Sequence, residues 1–176
     1  MIAPLSLSNI LTVLVAIACL WSIAPQARGD GVKLWRVAVP PGFAIAQALV
    51  LLAGVFDATF AHDMEWLAGG IFGAMLGRMR GWALSFDVDR VRGLIKVQPS
   101  IDVHLAAIGL VVLAAIDFTS ASLEDPVVPT DFVAAGAAFF AGYMACRALA
   151  IAVRVSRAAS ATPPSSTPAG TSLPPS

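Results

Sequence analysis

Long apolar stretches alternate along this chain with short polar breaks. Crossing a hydrocarbon layer of ~30 Å takes about 20 mostly apolar residues in a helix. On that basis the pattern predicts spans at residues 4–23, 40–56, 64–79, 101–118 and 130–155. Pro25 and Gly29 are expected to close the first span. Pro40 and Pro41 suit a helix's first turn, where no backbone N–H is needed, and open the second. The third span is short, with Trp66 and Trp82 at its ends, and an acidic turn over 57–63, carrying His62, precedes it.

The period changes at residues 82–99. Leu84, Phe86 and Val88 alternate with Ser85, Asp87 and Asp89, which is strand spacing. Gly93 follows, then Leu94 to Val97, and Pro99 ends the run. This predicts a β-hairpin turning over 89–93, lying against the membrane surface or the helix ends because two strands alone are marginal in water. Residues 158–176, rich in Pro, Ser, Thr and Ala, predict a disordered tail. The expected fold class is therefore all-α. A transmembrane domain over 1–157 forms a five-helix integral membrane bundle with a small cytoplasmic hairpin, and the tail follows.

Charge orients this bundle. The cations fall in every second break: Arg28, Lys33 and Arg36; then Arg78, Arg80, Arg90, Arg92 and Lys96; then Arg147, Arg154 and Arg157. Asp57, Asp63 and Glu65, then Asp117, Glu124, Asp125 and Asp131, mark the other breaks. The positive-inside rule gives that alternation to helices weaving through a bilayer. It puts the basic loops at 25–38, 78–100 and 154–176 inside, the amino terminus outside and the carboxyl terminus in the cytoplasm. A four-span chain would strand one basic loop outside. Residues 1–8 hold no Lys or Arg, so the first span is expected to be an uncleaved helix rather than a secretory signal. The expected location is a cell inner membrane, with Arg78, Arg80, Arg90, Arg92 and Lys96 near anionic headgroups.

Composition agrees. Apolar residues make up 58% of the chain and charged ones 12%, against ~25% charged in soluble domains. With a formal net charge of zero, electrostatics give no ground for a nucleic-acid partner. The two cysteines, Cys19 and Cys146, both lie in apolar segments and build neither a disulfide framework nor a metal spacing. His62 and His104 are expected at opposite membrane faces, too far apart to share a haem or metal, so no cofactor and no metal are expected.

Two residue sets remain as candidates. Gly69, Gly73, Gly77 and Gly81 repeat every four residues and line one helix face, the small-xxx-small pattern of close helix packing. They serve either a homo-oligomer contact or packing within the chain. The Ala- and Gly-rich face of the fifth span (Ala135, Gly136, Ala138, Gly142, Cys146) has the same character. The second set is Asp102, His104 and Arg147, ionisable groups placed in the cytoplasmic halves of the last two spans. An intramembrane charge is costly, which raises the idea of an Arg147–Asp102 pair with His104 as a titratable neighbour. The plainer alternative has Arg147 snorkelling to the interface and Asp102 favouring a helix start. Gln47 and Asn9 suit interhelical hydrogen bonds, and Asp57 and Asp117 suit either an acidic vestibule or exposed helix ends. Walker, GxSxG, CxxC and HExxH patterns are missing from the sequence, so no catalytic residue is assigned.

The run Gly73-x-x-x-Gly77-x-x-Arg80-Gly81, followed by Asp89-x-x-x-Gly93, an apolar strand and Pro99-Ser100, resembles the CcdC-like family of bacterial membrane proteins. Arg36 before Pro40-Pro41 fits as well, and the resemblance covers about residues 33–155. It implies a multi-span inner-membrane protein without an assigned activity, and supplies neither cysteines nor haem ligands. The expectation is a non-catalytic accessory or scaffold, in contact with lipid and with a membrane-protein partner or a second copy. The alternative is a small transporter or permease subunit using Asp102, His104 and Arg147.

Overall fold

The computed structural model describes residues 7–28, 30–54, 60–89, 92–121 and 128–160. These form helices α1 (Leu7–Ala27), α2 (Leu34–Val37), α3 (Val39–Gly54) and α4 (Phe60–Ala83), strands β1 (Phe86–Asp89) and β2 (Leu94–Val97), then helices α5 (Ile101–Ser120) and α6 (Thr130–Ser160). The protein is mostly helical, and four segments are long and apolar enough to cross a membrane: Leu7–Gln26, Leu34–Ala53, Ile101–Ser120 and Thr130–Ala158.

The glycine-rich α4 falls outside that set for a physical reason. Asp63 and Glu65 at one end and Arg78 and Arg80 at the other leave only 66–77 free of charge. That run is ~18 Å long at ~1.5 Å per residue, short of the ~30 Å hydrocarbon layer. Its 24 residues nevertheless give α4 a full length of about 36 Å.

Contacts between the helices fix their directions. Cys19 Sγ of α1 lies 3.5 Å from the Pro40 carbonyl at the start of α3, so these two are antiparallel. Ile23 and Gln26 of α1 adjoin Ser100 and Val103 at the start of α5. Ala135, Phe139, Tyr143 and Arg147 of α6 lie in that order along Gly69, Gly73, Gly77 and Gly81 of α4, so α4 and α6 are parallel. Thus α1, α4 and α6 point one way, α3 and α5 the other. α4 carries the chain from the end where α3 stops to the end where α5 starts.

The perimeter of the bundle is apolar, and its largely apolar core also holds polar groups. Asn9, Thr12, Gln47 and Arg147 are buried, whereas Leu14, Ile17, Ile71, Phe72, Leu105 and Ile108 are exposed around the perimeter. Thr12 Oγ1 donates to the Asn9 carbonyl at 2.9 Å, and Gln47 Nε2 crosses from α3 to the Leu110 carbonyl of α5, also at 2.9 Å, while Gln47 Oε1 is buried with no hydrogen-bond partner among the described residues.

The hairpin pairs Phe86 with Val97, Asp87 with Lys96, Val88 with Ile95 and Asp89 with Leu94. Gly93 takes φ +63°, the left-handed conformation its turn requires, and Arg92 N–H donates to Asp89 Oδ1 at 3.2 Å. Val32, after α1, forms an antiparallel bridge to Ile95 and so adds one pair to the hairpin's edge. Leu84, Ile95 and Val97 cluster with Ile151 and Val155, seating the hairpin on the end of α6.

Several boundaries depart from the sequence reading. Pro25 lies inside α1's last turn instead of closing the helix, since it forfeits one N–H bond just before the helix stops. α4 takes in His62 and Asp63 from the expected turn, and runs through Trp82 and Ala83 before the strands begin. α6 reaches Ser160 and so claims the first residues of the expected tail. Residues 161–176, Asp57, Arg90, Glu124 and Asp125 lie outside the described residues.

Candidate functional site at the basic end of the bundle

The three basic segments, distant in sequence, meet at one end. The Val32–Ile95 bridge ties the loop holding Arg28, Lys33 and Arg36 to the hairpin with Arg92 and Lys96. Arg154 Nη1 donates to the carbonyls of Gly81 (2.9 Å) and Leu84 (2.5 Å), taking up orphan acceptors at the end of α4. Among the described residues every Lys and Arg lies toward this end, while Asp63, Glu65, Asp117 and Asp131 stand at the other. Asp30, Asp87, Asp89 and Asp102 share the basic end; the acidic residues are therefore less segregated than the basic ones.

Within this end, Asp102 is the centre of a network. Its Oδ2 accepts from Tyr143 Oη at 2.7 Å, Arg147 Nε at 3.2 Å and Arg80 Nε at 3.4 Å. The carboxylate stands in the first turn of α5, where the helix dipole favours a negative charge. Tyr143 and Arg147 are one helical turn apart on α6 and so share a face, and Arg80 reaches in from α4. Arg147 Nη2 also donates to Ser100 Oγ at 2.8 Å. Ser100 is the N-cap of α5 but its side chain makes no capping bond. Three helices are thereby joined through one carboxylate. Arg147 does not snorkel: its side chain is 5% exposed, against 16% for Asp102 and 50% for Arg80.

His104 takes another course. Its Nδ1 lies 3.3 Å from the Ser100 carbonyl one turn back. It lines a small cleft with Gln26, Val97, Ser100 and Arg147, without a bond to the carboxylate. Asp102 and Arg147 are brought together and His104 stands beside them. Tyr143 and Ser100 were missed by sequence reasoning, and Arg80 was assigned to the membrane surface. Helical spacing from Arg147 was the available signal for Tyr143.

The glycine face is occupied from within the chain. A Cβ at Gly69 would stand 2.6 Å from the Ala135 carbonyl oxygen, and at Gly73 or Gly77 it would overlap the carbonyls of Phe139 or Tyr143. At Gly81 it would meet Ala150 Cβ at 2.7 Å. Gly142 returns the contact from α6, against the Gly70 carbonyl. Gly136, grouped above with the same face, instead meets Leu113 of α5.

No protein-family model matches this chain, nor does any curated protein or any solved structure.

Proposed function

We propose that this chain is a non-catalytic integral membrane protein of five spans. Its amino terminus lies outside, and its carboxyl terminus and hairpin lie in the cytoplasm of a cell with an inner membrane. The observation that carries this reading is the meeting of the three basic segments at one end of a bundle with an apolar perimeter. The alternating helix directions support α4 as a fifth span: α3 stops at one end and α5 begins at the other. Packing on α6, snorkelling of Arg78 and the pairing of Arg80 with Asp102 compensate for its short uncharged run. The resemblance to CcdC-like proteins belongs to the same proposal.

The Asp102 network favours an accessory role over transport. Three donors from two helices converge on one carboxylate oxygen, which suits a fixed lock better than a site that loads and releases an ion. The role proposed is that of a scaffold presenting the hairpin and its exposed Lys96 and Arg92 to a membrane-protein partner in a larger assembly. The test is copurification in mild detergent. A partner retained by the wild type and lost in Arg92→Glu/Lys96→Glu supports the reading, and retention unaffected by those changes opposes it. Cysteine labelling along α5 and α6, with Cys19 and Cys146 replaced, separates the transporter alternative. Water-accessible positions on successive turns through Asp102 would favour transport.

A further inference from the structure

We propose that the groove between the C-terminal ends of α4 and α6 binds an anionic phospholipid from the cytoplasmic leaflet. The inference rests on the membrane reading above and adds a ligand to it. The groove is lined by Arg78, Trp82, Cys146, Leu149, Val153 and Arg157, and encloses about 280 Å³, close to the lower end of the ~300–1,000 Å³ usual for a ligand site.

Its two arginines stand at different levels: Arg78 follows Gly77, which packs on Tyr143, and Arg157 lies near the end of α6. Leu149, Val153 and Cys146 give an apolar floor between the two, suited to an acyl chain. At the mouth Trp82, half exposed, takes the interfacial position that indole rings prefer. The Arg157 guanidinium carbon lies 5.7 Å from its ring centroid and that of Arg154 6.0 Å.

Prior commitments of the arginines single out the pair. Arg80 and Arg147 are engaged by Asp102, and Arg154 by the Gly81 and Leu84 carbonyls. Arg78 and Arg157 are exposed, and among the described residues no carboxylate is within ion-pair distance of either. Two guanidiniums without a carboxylate partner, flanking an apolar floor, match a phosphodiester attached to a hydrocarbon tail, since guanidinium binds phosphate through paired donors. A basic pocket between helices on the cytoplasmic side is a recognised setting for anionic headgroups. A free phosphate would leave the floor uncovered.

The test uses the full chain extracted in mild detergent, with phosphatidylglycerol, phosphatidylcholine or inorganic phosphate added, and bound lipid counted by native mass spectrometry. Wild type is expected to retain phosphatidylglycerol in preference to phosphatidylcholine, and equimolar inorganic phosphate should not displace it. Arg78→Gln/Arg157→Gln should weaken retention roughly tenfold or more, with Arg92→Gln/Lys96→Gln as a control that changes it little. Val153→Trp, which fills the floor and leaves the charges, should also lose the lipid. Thermal unfolding in detergent checks that each variant is folded. Equal affinity for the two lipids, displacement by phosphate, or full retention in either groove variant overturns the proposal. Release of the chain from membranes by alkaline carbonate would instead overturn the membrane reading, and is scored before any lipid is added.

Discussion

Gly77 packs against the backbone carbonyl of Tyr143, and the hydroxyl of that same Tyr143 binds Asp102 at 2.7 Å. The glycine contact between α4 and α6 and the polar contact between α5 and α6 therefore meet at one residue. A helix held too far from α6 at Gly77 would also displace Arg80, the α4 donor to the carboxylate.

Gly77→Ala is accordingly expected to destabilise the protein. The added methyl overlaps a backbone carbonyl, and overpacking of this kind costs about 1–3 kcal/mol. Gly42→Ala is the matched control, because a Cβ there meets nothing within 4 Å. Thermal unfolding in detergent should show a clear drop for the first and little loss for the second. Equal midpoints would place α4 away from α6.

Asp102 and Arg147 are expected to be energetically coupled. Removing one member of a buried pair leaves the other charge uncompensated, and contacting residues typically couple by ~0.5–3 kcal/mol. A cycle of Arg147→Ala, Asp102→Ala and the double variant should give a coupling of about 1 kcal/mol or more. Arg80→Ala, with its half-exposed side chain, should cost less than Arg147→Ala. Additive losses in the cycle would dissolve the network.

Gln47→Leu should be nearly neutral, within about 1 kcal/mol, despite full burial. A single interhelical hydrogen bond in lipid averages only ~0.6 kcal/mol. A loss as large as that of Arg147→Ala, by the same unfolding assay, would contradict this ranking.

Gly93→Ala should loosen the hairpin without disturbing the helices. A left-handed φ of +63° costs a residue with a Cβ about 1 kcal/mol. Faster tryptic cleavage at Arg92 and Lys96, with an unchanged helix signal, is the expected result. Unchanged cleavage would mean the strand contacts to Ile151 and Val155 hold the hairpin without its turn.

How much of this was legible in sequence depends on whether the signal is local. The hairpin was, because alternation from Leu84 to Val88 and the Gly93 turn are both local, and Leu84 is buried while Ser85, Asp87 and Asp89 are exposed. Four-residue glycine spacing announced close contact but could not name α6, since one periodicity serves any facing helix. Asp102 and Arg147 stood out because charge within an apolar span is conspicuous. Tyr143 did not, because one aromatic in an apolar helix looks like packing until a carboxylate from α5 is placed beside it. Helix ends moved for similar reasons: Pro25 is tolerated in a final turn, and α4 continues to Ala83 because Arg154 takes up its last carbonyls.

The passage of α4 across the bilayer is the step on which the five-span topology turns. With Cys19 and Cys146 replaced by alanine, single cysteines at Asp63 and Lys96 would be exposed in turn to a membrane-impermeant maleimide in sealed cells. Asp63→Cys should label directly and Lys96→Cys only after permeabilisation. Labelling of both from the same side would contradict the account, because α4 would then return to the face from which it started.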